Sequence, residues 1–244
     1  LKILSFDLST GDLHLGLCEN EEVVAEILMP GRLAERQYVA QELVPAIDLI
    51  FKQQKWLKSE LDLLVVGVGP GSFTGVRTAV VTARTLAQAL RLPLCGVSLF
   101  ECYFTLAKHE VGVVLDAGGQ ACYVAISAQS SDNLTHDRES VGKFMDLAVL
   151  SSVIRERQPE LKRWLVAPRL LPLIGAATGD LEPLPALNNI AILQAKIAFR
   201  RVSLSGLDSV QPINREELSK TFAYEHVRPL YLREASITLK STVT

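Results

Sequence analysis

One short unit occurs twice in this chain. Ile3-Leu4-Ser5-Phe6-Asp7, the turn Ser9-Thr10-Gly11 and the return run Leu13 to Leu17 open the first half. Val113-Val114-Leu115-Asp116, the turn around Gly118-Gly119 and the return run Cys122 to Ile126 open the second. Each is an apolar strand that ends in aspartate, turns on small residues and comes back. A repeated supersecondary unit predicts a duplicated architecture, because each copy buries one face against the same kind of neighbours. Around the first copy, Lys2 to Leu8, Asp12 to Glu19 and Glu22 to Met29 read as successive strands. They lie too close in sequence to pair in any way but as antiparallel hairpins.

Helices and strands then alternate. Arg36 to Gln54 carries Val39, Leu43, Ile47, Ile50 and Phe51 at helical spacing. A strand over Leu63 to Val68, a helix over Val76 to Leu90, a strand over Leu92 to Val97 and a helix over Leu99 to Lys108 follow, the last capped by Ser98. Three antiparallel strands followed by this alternation is the element order of a ribonuclease-H-like unit. Two such units give an α/β, duplicated two-lobe fold similar to the actin, Hsp70 and sugar-kinase (ASKHA) superfamily. The boundaries expected are residues 1–103 for the first lobe, completed by a C-terminal helix, and 104–244 for a smaller second lobe. In the latter, Ser130 to Ser140 reads as a polar loop or edge strand, Phe144 to Gln158 as helix and Trp164 to Val166 as a short strand. Pro168 to Pro185 reads as connections around a buried Leu173-Ile174-Gly175. Asn188 or Asn189 caps an apolar helix through Val202, and a short helix over Asn214 to Phe222 precedes the tail Arg228 to Glu234.

With 48% hydrophobic and 21% charged residues the chain has the makeup of a globular protein, and a net charge of −2 gives no global attraction to nucleic acid or anionic lipid. Nucleic-acid chemistry would therefore need a partner to do the gripping. Cys18, Cys95, Cys102 and Cys122 form neither a C-x-x-C pair nor a zinc spacing and read as buried thiols of a reducing compartment. The opening residues show no secretory pattern, and no apolar run reaches the ~20 residues of a membrane span. The expectation is a cytoplasmic protein without a membrane association.

The candidate sites begin with Gly69-Pro70-Gly71-Ser72-Phe73-Thr74-Gly75, between a strand and a helix. Such a turn presents backbone N–H groups to an anion, with Thr74 as the expected helix cap. No lysine follows the last glycine, so the P-loop is excluded, and the dinucleotide fingerprint does not fit either. A structural turn and a docking element are left as equal readings. Asp7 and Asp116, with Ser9 and Thr10 beside the first, are weak nucleotide-binding candidates, with hydrogen bonds to their own turns as the competing reading. Arg77, Arg84 and Arg91 recur every seven residues in a stretch with no acid between Asp62 and Glu101. Seven residues drift by only ~20° on a helix, so these form one stripe, read either as a solvated face or as a surface suited to an acidic partner or an RNA backbone. His14, His109, His136 and His226 offer no helical metal pair, so no metal ligands and no catalytic residues are assigned.

The glycine motif with its flanks, Val66 to Arg77, then Ala83 to Leu90, Pro93 and Gly96-Val97-Ser98-Leu99, resembles the TsaB (YeaZ) family of threonylcarbamoyladenosine-biosynthesis proteins. So do the opening Ile3 to Ser9, the Asp116 hairpin with Tyr123, and Pro229-Leu230-Tyr231-Leu232-Arg233. The chain departs from the family pattern at Leu8, at Gly118 where arginine is usual, and at Glu35-Arg36-Gln37 in place of His-Ser-Glu. The resemblance implies a pseudoenzyme, a scaffold without independent catalysis. Its partners would be a TsaD-like catalytic subunit, which holds its own metal, and a TsaE-like ATPase. Together they add threonylcarbamoyl to the adenosine beside the anticodon of tRNAs that read codons beginning with A. It implies tRNA as an indirect partner, a homodimer surface on the first lobe, and no cofactor, with ATP, if bound at all, at a partner interface. On this reading the glycine loop and Arg77, Arg84 and Arg91 belong to docking. The rival reading is a stand-alone nucleotide-dependent enzyme using Asp7 and Asp116.

Overall fold

The computed structural model describes residues 1–31, 36–107, 109–127, 142–157, 159–174, 180–207 and 215–232. The first sheet contains β1 (Lys2–Asp7), β2 (Leu13–Glu19), β3 (Glu22–Met29), β4 (Leu63–Gly67) and β5 (Leu94–Val97), in the spatial order β3-β2-β1-β4-β5. The second contains β6 (Gly112–Asp116), β7 (Ala121–Ile126), β8 (Lys143–Asp146), β9 (Arg163–Val166) and β10 (Asp180–Pro183), in the order β10-β9-β6-β7-β8. Read from the other edge, this is the same order. In both, a meander of three antiparallel strands continues into two parallel ones. The duplicated ribonuclease-H-like, actin-like fold follows from that correspondence, and Asp7 and Asp116 end equivalent strands.

Alternation along the central strands sorts side chains between two cores. Ile3, Leu63, Val65, Cys95 and Val97 face one side of the first sheet, while Leu4, Phe6, Leu64, Val66 and Leu94 face the other. The second side is covered by α2 (Leu43–Gln54) and α3 (Phe73–Leu90), through Ile47, Ile50, Val76, Val80 and Ala83. The first side is covered by α4 (Leu99–Leu106) and α7 (Ile190–Leu204). The same core runs on into Val113, Leu115, Tyr123, Ala125 and Leu165 of the second sheet. The far face of the second sheet is closed by α5 (Leu147–Arg157) over Val114, Val124 and Trp164. The layers are therefore helices, sheet, helices, sheet, helix, with α4 and α7 in the middle.

Local signals explain most ends. Ser98 and Glu101 form a reciprocal capping box at α4, each side chain accepting the other residue's N–H. Asn189 caps α7 by accepting the Ala191 N–H at 3.1 Å.

Several expectations are corrected. The helical stretch Arg36 to Gln54 is two helices, α1 (Arg36–Gln41) and α2, separated at Glu42. The helix after the glycine loop begins at Phe73, and its cap is Ser72, whose Oγ accepts the Gly75 N–H at 3.2 Å; Thr74 lies inside the first turn. Phe144, Met145 and Asp146, read as helix, belong to edge strand β8, where Phe144 sits opposite Tyr123 with ring centroids 5.8 Å apart. The connection from Pro168 to Pro185 contains a one-turn α6 (Leu171–Ile174) and β10, and Leu173 is exposed while Ile174 is buried. The last short helix is α8 (Arg215–Thr221). Ser130 to Ser140, Glu35, Lys108, Gln158, Gly175, Asn214, Arg233 and Glu234 lie outside the described residues.

Candidate interlobe cleft

The turn after β1 and the end of β6 face a cleft of about 730 Å³. The first hairpin turn, the glycine loop, the Asp116 turn and the segment Leu230 to Leu232 form its walls. Thus Ser9, Thr10, Pro70, Gly71, Ser72, Phe73 and Asp116 come together there. Asp7, Gly69, Thr74, Gly75, Arg77, Arg84 and Arg91 are not among its walls.

The glycine loop takes its shape by pressing on the first hairpin turn. The Ser72 N–H donates to the Ser9 carbonyl at 2.7 Å. A Cβ on Gly71 would lie 2.1 Å from that same oxygen, and one on Gly75 would lie 2.1 Å from the Leu8 carbonyl. Only glycine permits this backbone-to-backbone approach. The Gly69 carbonyl accepts the Leu99 N–H at 2.7 Å, so the loop also ties α3 to α4. At the cleft mouth the Phe73 and Tyr231 rings lie 5.1 Å apart, both about half exposed.

The two aspartates have different surroundings. Asp7 is fully buried. Its Oδ1 accepts the Ser9 N–H and hydroxyl, both at 2.6 Å, and its Oδ2 accepts the Gln194 amide from α7 at 2.7 Å. The carboxylate is directed at the middle layer of the fold and braces the turn against α7. Asp116 is partly exposed at the cleft edge. Arg169, from the turn after β9, grips both its oxygens and also donates to the Gly119 carbonyl at 3.2 Å, while the Gly118 N–H donates to Oδ1 at 2.7 Å. The guanidinium hydrogen bonds hold the Asp116 carboxyl below the usual range.

Gln194 and Arg169 were not singled out from sequence. Gln194 had a signal, an amide inside the apolar run Ile190 to Val202. Arg169 had none, because its contact depends on the pairing of β6 with β9. Burial raises all four thiols, Cys18 and Cys122 to about 11, so they stay protonated at neutral pH. Among the described residues no group of three or more His, Cys, Asp or Glu side chains is arranged to hold a metal ion, and no helix is long and apolar enough to cross a membrane.

A family model described as TsaD, tRNA N6-adenosine threonylcarbamoyltransferase, matches residues 29–164. The chain is 24% identical over 242 residues to the Escherichia coli tRNA threonylcarbamoyladenosine biosynthesis protein TsaB, spanning 96% of this chain and 95% of that protein. It is 32% identical over 114 residues to TsaB of Bacillus subtilis, a match covering 47% of this chain and 48% of that protein. The chain belongs to the TsaB/YeaZ family. Among solved structures, an uncharacterised Pseudomonas aeruginosa protein with similarity to peptidase YeaZ superposes with a TM-score of 0.63 at 19% identity, covering 95% of this chain and 99% of that one. YeaZ from Pseudomonas aeruginosa gives 0.58 at 21% identity, covering 83% and 92%. These two likenesses establish the TsaB/YeaZ fold for the chain.

Proposed function

We propose that this chain is a non-catalytic scaffold of the assembly that adds threonylcarbamoyl to the adenosine next to the anticodon in tRNAs reading ANN codons. A TsaD-like subunit is its direct partner, and a TsaE-like ATPase joins the pair. The observation that carries this reading is the state of Asp7. In a nucleotide-dependent enzyme of this architecture, a strand-end carboxylate would have lone pairs aimed into the cleft. Here the carboxylate spends its hydrogen bonds inside the fold, on Ser9 and Gln194. The relatives' names give the pathway, and the match along nearly the whole of the Escherichia coli protein supports carrying it to this chain.

Docking is assigned to the first lobe. Between α2 and α3 lies an apolar hollow of about 340 Å³ walled by Val44, Ile47, Phe51, Leu86 and Leu90. Val44 is exposed at its rim, and Leu57, after α2, is exposed as well. Apolar side chains ringed by Asp48 and Lys58 have the makeup of a protein–protein contact.

The test is reconstitution of threonylcarbamoyladenosine formation on tRNA with the catalytic subunit, with and without this chain. Stimulation by the wild type is expected, and by Asp7→Asn as well. Among the described residues the Gln194 Oε1 has no hydrogen-bond partner, so the Gln194 amide can rotate to accept from the new Asn amide. Loss of stimulation in a folded Asp7→Asn protein would remove the observation that carries this reading, and ATP turnover by the isolated chain would establish the stand-alone enzyme instead.

A further inference from the structure

The arginines of this chain divide by location. Arg157, Arg163, Arg169, Arg200, Arg201 and Arg215 each pair with a carboxylate. Arg77, Arg84, Arg91, Arg155 and Arg228 form no ion pair with the described residues. All of these but Arg155 lie on α3 and its cap or on the segment packed beside it. At 1.5 Å per residue, the seven-residue spacing makes Arg77 to Arg91 a strip about 21 Å long.

The strip runs along one flank of α3. Leu86 and Leu90, two and six residues beyond Arg84, point to the other flank and wall the hollow against α2. Beside the arginine flank packs the turn Tyr224–His226. Val227 anchors that segment in the same core as Val80 and Ala83, and the Arg84 charge acts on the Tyr224 phenol. His226 and Arg228 are exposed and, with Arg201, wall an open hollow of about 300 Å³. The acid on this segment, Glu225, is engaged with Tyr224, and Arg201 is held by Glu101.

We infer that this flank, formed by Arg77, Arg84 and Arg91 of α3 and its cap, with Arg228 on the segment packed beside it, binds the phosphate backbone of RNA. The inference rests on the role in a tRNA-modifying assembly proposed above. Unpaired guanidinium forks match phosphate geometry bidentately, and their even spacing suits a charge repeated along a strand. Among the described residues, four of the five arginines without an ion pair lie on α3, its cap or the segment beside it, which gives that side a local positive field that a net charge of −2 does not suggest. A protein contact needs an apolar centre. The α2–α3 hollow on the opposite flank provides one, whereas on this side Val81 stands on the outward ridge beside the strip.

The experiment uses the chain assembled with its catalytic subunit and a fluorescein-labelled, unmodified tRNA transcript, with binding read by anisotropy across a salt series. Combined Arg84→Gln, Arg91→Gln and Arg228→Gln changes are expected to weaken tRNA binding about tenfold or more near 0.1 M salt. They are also expected to lower the slope of log K against log salt by roughly 2 to 3, at about 0.7–0.9 per lost phosphate contact. Co-elution of the subunits and the circular dichroism spectrum should stay unchanged, and Arg155→Gln should leave the slope as in the wild type. An unchanged slope in the triple variant overturns the inference. Loss of co-elution with the slope intact also overturns it and assigns the flank to an acidic protein surface. A wild-type assembly that binds tRNA in this arginine-dependent way but makes no modified adenosine refutes the proposed function and leaves the flank standing.

Discussion

His14 is a buried polar side chain held between two elements. It is 4% exposed and sits on β2, where its Nδ1 accepts the Ile190 N–H at the start of α7 and its Nε2 faces the Thr10 hydroxyl at 3.3 Å. Burial lowers its pKa, and the nearby Asp7 and Asp12 charges only partly oppose this. In the unfolded chain an imidazole titrates near about 6.5. As pH falls below that value the unfolded state therefore takes up a proton that the folded state resists, and stability declines. The loss begins at the unfolded value and levels off below the lower folded one. We expect the thermal midpoint to fall between pH 7 and pH 5 in the wild type and to fall less in His14→Asn, which keeps an acceptor without the titration. Equal pH slopes in the two proteins would exclude His14 as the source. From sequence His14 was one of four isolated histidines; its partner lies at position 190, beyond the reach of any spacing rule. Asp7 was legible as a strand-end carboxylate, but whether it faced the cleft or the core depended on Gln194.

At the level of elements, what could be read was what local chemistry determines. The hairpins, α3, α4 and α7 with its asparagine cap follow from periodicity, turn residues and caps within a few positions. Errors fell where two signals met. Phe144 and Met145 merge into the apolar pattern of α5, although cross-strand pairing with Tyr123 and Cys122 makes them a strand. Ser72 and Thr74 are both good caps, and the choice between them depends on the loop being pulled back by the Ser9 carbonyl. That choice can be measured. Ser72→Ala should cost about 1 kcal/mol, while Thr74→Ala, at an exposed position inside the first turn, should cost a few tenths at most. Denaturant midpoints reversed in order would restore Thr74 as the cap.

For the whole molecule, the core that contains Phe100, Leu115, Tyr123 and Ala195 joins the two lobes. The chain has two tryptophans, Trp56 beside the first-lobe core and Trp164 inside the second. Two-state unfolding of the joined lobes predicts that Trp56→Phe and Trp164→Phe, each reporting the other lobe by fluorescence, show transitions coincident with circular dichroism. Separate midpoints for fluorescence and circular dichroism within one variant would mean that the lobes melt independently.

Helix α7 gives this arrangement a consequence in time. It is built from residues 190–204, yet it covers β1, β2, β4 and β5. Chains leave the ribosome from the N-terminus, at about 5–20 residues per second. The first sheet is thus translated in full well before the helix that closes one of its faces, and before Gln194 reaches the Asp7 carboxylate. For several seconds of synthesis Ile3, Val65 and Val97 have no α7 above them, so this face of the nascent first lobe stays open until residues 190–204 have been made.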